Sequence, residues 1–115
     1  MEFGVGLMGD HSSARVIDLS QRIEDYGLDQ VWLADERFYR DVFVNMTLAA
    51  CHTRRVKIGA LVTDPYIRHP ALTAAAATSV DEVSGGRVVL GLGAGLSGFK
   101  QLGITRVRPA RAIRE

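Results

Sequence analysis

Gly93-Ala94-Gly95-Leu96-Ser97-Gly98 spells a GxGxxG pattern immediately after the apolar run Val88 to Leu92. In a dinucleotide-binding fold such glycines bring a helix N-terminus up to a pyrophosphate. That fingerprint belongs to the first strand–helix turn, whereas this one follows the fourth apolar run. Phe99-Lys100-Gln101-Leu102-Gly103 then opens no continuous helix. The pattern instead predicts a close backbone approach to a ligand at a strand's C-terminal end, where glycine removes the side chain. Polar residues also gather as Asp35-Glu36-Arg37 and as Thr63-Asp64-Pro65-Tyr66-Ile67-Arg68-His69-Pro70, each after an apolar run. In parallel α/β folds the loops at the strand C-termini converge on the site. Asp35 is read as a ligand carboxylate or as a residue that caps a turn or pairs with Arg37. His69 reads as the boundary residue of a helix, and Tyr66 as a site residue or a loop-packing one. His11 and His52 have no partner at metal-ligand spacing, so no metal site is expected. Ser12 and Ser13 lack a nucleophile-elbow context. The single cysteine, Cys51, reads as core.

The elements that must position these residues follow from the hydropathy pattern. Phe3 to Met8, Val31 to Ala34, Val56 to Val62 and Val88 to Leu92 are short, continuous apolar runs rich in Val, Ile and Leu. They read as parallel strands covered on both faces. Three helical stretches lie between them. Val16, Ser20 and Ile23 share a face, with Gly27 at the C-terminal cap position. Asp41 is a plausible N-cap for a second helix carrying Val44, Leu48 and Cys51 on one face. Pro70 suits the first position of a third, with Leu72, Ala76, Val80 and Val83 as its stripe and Gly85-Gly86 as its stop. Pro109 opens a fourth helix that the chain does not finish. Strands alternating with helices at βαβ spacing predict a parallel sheet with right-handed crossovers.

The chain has 115 residues, of which 47% are hydrophobic and 23% charged, the composition of a globular domain. Its formal charge of +1 gives no electrostatic case for nucleic acid or an anionic membrane. No apolar run approaches the ~18 residues of a membrane helix. The start, Met1-Glu2-Phe3-Gly4, lacks the pattern of a secretory signal. One cysteine fits a reducing, cytoplasmic compartment.

Val62-Thr63-Asp64-Pro65-Tyr66-Ile67-Arg68-His69-Pro70-Ala71-Leu72-Thr73 resembles a signature of the bacterial luciferase-like oxidoreductases. So do Val31-Trp32-Leu33-Ala34-Asp35-Glu36-Arg37-Phe38, Asp81-Glu82-Val83-Ser84-Gly85-Gly86-Arg87 and Leu90-Gly91-Leu92-Gly93-Ala94-Gly95. Leu102-Gly103-Ile104 and Arg108-Pro109 fit the deazaflavin-dependent branch typified by methylenetetrahydromethanopterin reductase. The resemblance implies an α/β fold of the (β/α)₈ TIM-barrel family, whose full barrel takes ~250 residues. Residues 1–115 would then be the N-terminal part of a single such domain, a half barrel with four strands and three helices. It implies coenzyme F420, or FMN in sister branches, and hydride transfer to or from a small organic substrate. By the same resemblance Leu61, Val62 and Thr63 form a bulge against one face of the cofactor ring, with a non-proline cis peptide at Leu61–Val62. Asp35 is the second-strand carboxylate near the ring, and Gly93, Ala94 and Gly95 lie beneath its polar edge. Glu36, Arg37 and Tyr66 face the substrate, and no catalytic acid or base is assigned. Two positions depart from the pattern: Gly6 stands where the methanopterin reductases carry a first-strand glutamate, and Leu61 where Gly or Cys is frequent. A homo-oligomer is expected, because four strands alone leave two open sheet edges. The competing readings are an FMN-dependent monooxygenase, a non-catalytic half-barrel assembly module, and a small nucleotide-binding protein using Gly93 to Gly98.

Overall fold

The computed structural model describes residues 1–95 and 97–114. Strands and helices alternate strictly: β1 (Gly4–Leu7), α1 (Ser13–Asp25), β2 (Gln30–Leu33), α2 (Val42–His52), β3 (Lys57–Thr63), α3 (Pro70–Ser84), β4 (Val88–Leu92) and α4 (Pro109–Arg114). The strands form one sheet in the order β1-β2-β3-β4, every pair parallel. Each strand therefore pairs with its neighbours in sequence, so the chain is a run of successive βαβ units. No described helix is long and apolar enough to cross a membrane.

Local chemistry sets the helix ends. Ser12 caps α1 by accepting from the Arg15 amide, and Gly27, at φ 78°, lets the chain leave the helix. The Asp41 carboxylate accepts from the Phe43 and Val44 amides at the start of α2. His69 Nδ1 accepts from the Ala71 amide at the start of α3, with Pro70 next, so His69 is the boundary residue. Gly85, at φ 72°, stops that helix.

The core lies between the sheet and the inner helix faces, built around Val16, Ile23, Val31, Leu33, Met46, Ile58 and Val80. On α1 the expected face is the buried one. On α2 it is not: Val42, Phe43, Asn45, Met46, Ala49 and Ala50 are buried, while Val44 and Cys51 are exposed and Leu48 is half-buried. The helix is apolar nearly all round, so periodicity could not choose its inner face, and Cys51 is a surface thiol rather than core. On α3 the buried residues are Thr73, Ala77, Val80 and Ser84, with Leu72 and Val83 exposed. Val80 and, in part, Ala76 of the expected stripe are buried, while the alanine-rich sequence lets small residues fill the rest of the inner face and leaves Leu72 and Val83 outside. The fourth helix expected to open at Pro109 is present as α4, beside the three helices of the half barrel.

Two glycines shape the sheet around Trp32. A Cβ on Gly59 would lie 2.4 Å from the indole, and one on Gly4 3.0 Å from it. The ring thus lies across β2's neighbours on both sides, with Nε1 donating to Gln30 Oε1 at 2.8 Å.

The end of the sheet where the strands begin is held by two polar clamps. Arg87 reaches the carbonyls that end α2, and Glu24 on α1 accepts from the backbone amides of Arg54, Arg55 and Val56. Burial pushes the Glu24 carboxyl up, but those three amides and the Arg55 charge outweigh it, so its pKa lies below the ordinary value. A carboxylate whose folded pKa is depressed contributes stability above its unfolded pKa, and loses it as pH falls through the folded one. Glu24→Gln is therefore expected to lower the urea midpoint at pH 7 and to flatten the loss of stability below about pH 4.5. An unchanged acid limb in that variant would show that Glu24 does not set it.

Candidate functional site

The strands' C-terminal ends open into a cleft of about 610 Å³. That lies within the roughly 300–1,000 Å³ range of small-molecule sites. Its wall is drawn from all four strand ends: Leu7 and Met8, Asp35 and Glu36, Leu61 and Val62, Ala94 and Gly95, with Arg106 at one side. No histidine or cysteine lines it among the described residues, and no cluster of metal-ligating side chains was found among them.

The floor comes from an irregularity in β3. Its register against β4 shifts between Ala60 and Thr63, and the Leu61–Val62 peptide is cis. Strand alternation would bury one of two successive side chains, but here Leu61 is 52% and Val62 39% exposed. Both apolar side chains line the cleft. Thr63 is fully buried, its hydroxyl without a partner among the described residues, and does not line it. Gly93 lies behind Val62, where a Cβ would come within 2.4 Å of Val62 Cγ2.

Asp35 is not partnered with Arg37. Its carboxylate, 5% exposed, accepts from Arg68 Nη1 at 3.0 Å. Arg68 also donates to Asp41 and lies over the Phe43 ring, 5.0 Å from its centroid. Burial opposes the guanidinium's charge, but the hydrogen bond to Asp41 and the two carboxylate charges prevail and raise its pKa. Burial likewise pushes the Asp41 carboxyl up, and Arg68 with the Val44 and Phe43 amides more than reverses it. The Asp35 carboxylate is thus fixed at the cleft wall by a neighbour from the β3–α3 loop.

Arg37 lines the cleft, but its side chain is 4% exposed and pairs with Asp64 at 2.6 Å. Tyr66 does not line the cleft but packs edge-on against Phe99, and its hydroxyl accepts from the Val107 amide. Of the residues expected on the substrate side, only Glu36 lines the cleft without being tied into this buried cluster. Arg68, Asp64 and Arg106 were missed as site residues. The first two stand in the Thr63–Pro70 segment, and their carboxylate–guanidinium complementarity to Asp35 and Arg37 was the available signal.

The glycine pattern has a packing explanation. A Cβ on Gly95 would lie 2.7 Å from Asp64 Oδ2, and one on Gly98 2.3 Å from Arg37 Cδ. Both glycines have positive φ, 66° and 74°. Leu96 of the pattern lies outside the described residues, and no helix begins among residues 97–108, so the pattern does not open directly into a helix N-terminus that could meet a pyrophosphate.

The sequence model of the luciferase-like monooxygenases matches residues 1–115. The chain belongs to that family. Among luciferase-like relatives, the 5,10-methylenetetrahydromethanopterin reductase of Archaeoglobus fulgidus is 40% identical over 116 residues, taking in 100% of this chain and 35% of that protein. The solved coenzyme F420-dependent tetrahydromethanopterin reductase of Methanopyrus kandleri superposes with a TM-score of 0.90 at 32% identity, covering 98% of this chain and 37% of that one. An FMN complex of the oxygenating constituent of 3,6-diketocamphane monooxygenase from Pseudomonas putida shares the fold, at TM-score 0.84 and 18% identity. The chain spans little more than a third of the length of these luciferase-like relatives.

Proposed function

We propose that residues 1–115 form the N-terminal part of a single luciferase-like barrel domain whose cleft takes the ring of coenzyme F420 for hydride transfer with a small organic substrate. The observation that carries this reading is the pair of adjacent apolar side chains, Leu61 and Val62, turned out of β3 into a cleft that a carboxylate borders. The likeness to a coenzyme F420-dependent reductase over 98% of the chain supports it. A flat, largely apolar ring fits such a floor, and Gly93, with no side chain, leaves Val62 free to present it. When bound, the deazaflavin supplies the hydride itself.

The chain's own residues position and shield. Leu61 and Val62 exclude water from one ring face, with Thr63 anchoring the bulge from inside. Ala94 and Gly95 offer backbone at the ring's polar edge. Asp35, held by Arg68, presents a fixed carboxylate, and Glu36 faces the substrate. Gly6 brings no carboxylate to the cleft, which favours a substrate other than the methanopterin of the relatives. A reducing cytoplasm suits the free thiol of Cys51.

The test is a titration of the full-length protein with F420 and with FMN, followed by absorbance and fluorescence. Saturable binding of F420 in preference to FMN is expected. Preference for FMN would move the protein to the monooxygenase reading, and binding of neither would overturn the proposal.

A homo-oligomer is part of the same proposal. β1 and β4 are the sheet's edge strands, and Phe3, Met8 and Leu92 near them are exposed. Unprotected apolar edges template further pairing. The 115-residue polypeptide made alone is expected to self-associate in size-exclusion chromatography with light scattering, and a monodisperse monomer would contradict this.

A further inference from the structure

Three strand-end loops meet at one buried ion pair. Arg37 follows β2, Asp64 follows β3, and their side chains are 4% and 3% exposed. Arg37 Nη2 donates to Asp64 Oδ2 and Nη1 to the Ser97 carbonyl after β4, each at 2.6 Å. The other Asp64 oxygen accepts from the Tyr66 and Ile67 amides at 2.8 and 3.2 Å. The guanidinium lies over the Phe99 ring, 4.2 Å from its centroid.

We propose that the Arg37–Asp64 pair is a positioning device that holds the loop after β4 and thereby sets the affinity of the cleft for its cofactor. The second half of this statement rests on the reading of the cleft as a cofactor site. Geometry supports the first half from both sides. The pair grips the loop through the Ser97 carbonyl and Phe99, and the loop is shaped to the pair at Gly95 and Gly98, where a Cβ would strike Asp64 and Arg37. Ala94 and Gly95 line the cleft, so a shift in the pair moves the cleft wall. A buried ion pair gives little net stability against apolar residues of similar volume, but the planar guanidinium fork fixes direction. Lysine at position 37 would keep the charge and lose that fork.

The experiment compares Arg37→Lys, Asp64→Asn and Gly98→Ala in the full-length protein, with Gly103→Ala as control. Gly103 has φ 65° and nothing within 4 Å of a built Cβ, so it matches the backbone strain of Gly98 without touching Arg37. Two readouts are taken: amide exchange at residues 97–99 without ligand, and F420 affinity by fluorescence titration. Arg37→Lys and Gly98→Ala are expected to speed loop exchange and to weaken binding about tenfold or more, while exchange in β2 stays unchanged. Gly103→Ala should leave both within about twofold. If Asp64→Asn does not fold, the other two variants decide, since both keep the charges. Loop exchange within twofold of wild type in folded Arg37→Lys and Gly98→Ala overturns the proposal, as does faster exchange with unchanged affinity. A wild-type protein that binds no F420 overturns the cofactor reading, and loop exchange then decides the holding role by itself.

Discussion

Arg87→Met is expected to lower the unfolding free energy by about 3–5 kcal/mol while leaving the activity of the folded fraction unchanged. The Arg87 side chain makes five hydrogen bonds: Nε to Ser84 O, Nη1 to Thr53 Oγ1 and Val56 O, and Nη2 to the carbonyls of Ala50 and Thr53. The Ala50 carbonyl belongs to the last turn of α2, where no intrahelical partner exists. Methionine fills much of the volume and satisfies none of these acceptors, and the partly buried site restricts replacement by water. Lysine, a point charge without the fork, should recover only part of the loss. Arg87 precedes β4, at the opposite end of the sheet from the cleft. Urea unfolding of the variant checks the magnitude. A change below about 1 kcal/mol would show that water serves those carbonyls as well.

Asp35→Ala is expected to do the reverse, reducing kcat/KM of the full-length protein about 10²-fold at a stability cost of only about 1–2 kcal/mol. The asymmetry comes from Arg68. Losing Asp35 leaves its guanidinium paired with Asp41 and stacked over Phe43, and at 19% side-chain exposure water can reach the freed donor. The cleft, by contrast, loses its fixed carboxylate. Steady-state kinetics beside thermal unfolding separates the two effects. Loss of stability above about 3 kcal/mol with normal turnover in the folded fraction would make Asp35 a structural partner of Arg68 and nothing more.

The strands and their order were legible because each is a short apolar run between polar turns. The buried face of α1 was legible too, because Val16, Ser20 and Ile23 alternate with charged neighbours. α2 failed the same reading, and α3 met it only at Val80 and Ala76, for a physical reason: when nearly every face is apolar or alanine, burial is decided by what packs opposite. The site divides similarly. The bulge at Leu61–Val62 and the cleft-lining Asp35, Ala94 and Gly95 followed from resemblance and strand-end position. The pairings did not, since Asp35 meets Arg68 33 residues away and Arg37 meets Asp64 27 residues away. Spacing shows that Gly95 and Gly98 need freedom, but only the fold shows that a carboxylate and a guanidinium occupy the space their side chains would take.

Trp32 is the only tryptophan in the chain, so its emission has a single source. Because the indole rests on Gly59 of β3 and beside Gly4 of β1, its surroundings exist only while three strands are in register. Peeling either neighbour away would wet the ring and shift its emission to longer wavelength. The protein thus carries an optical gauge of strand pairing, seated apart from the cleft and readable without a label.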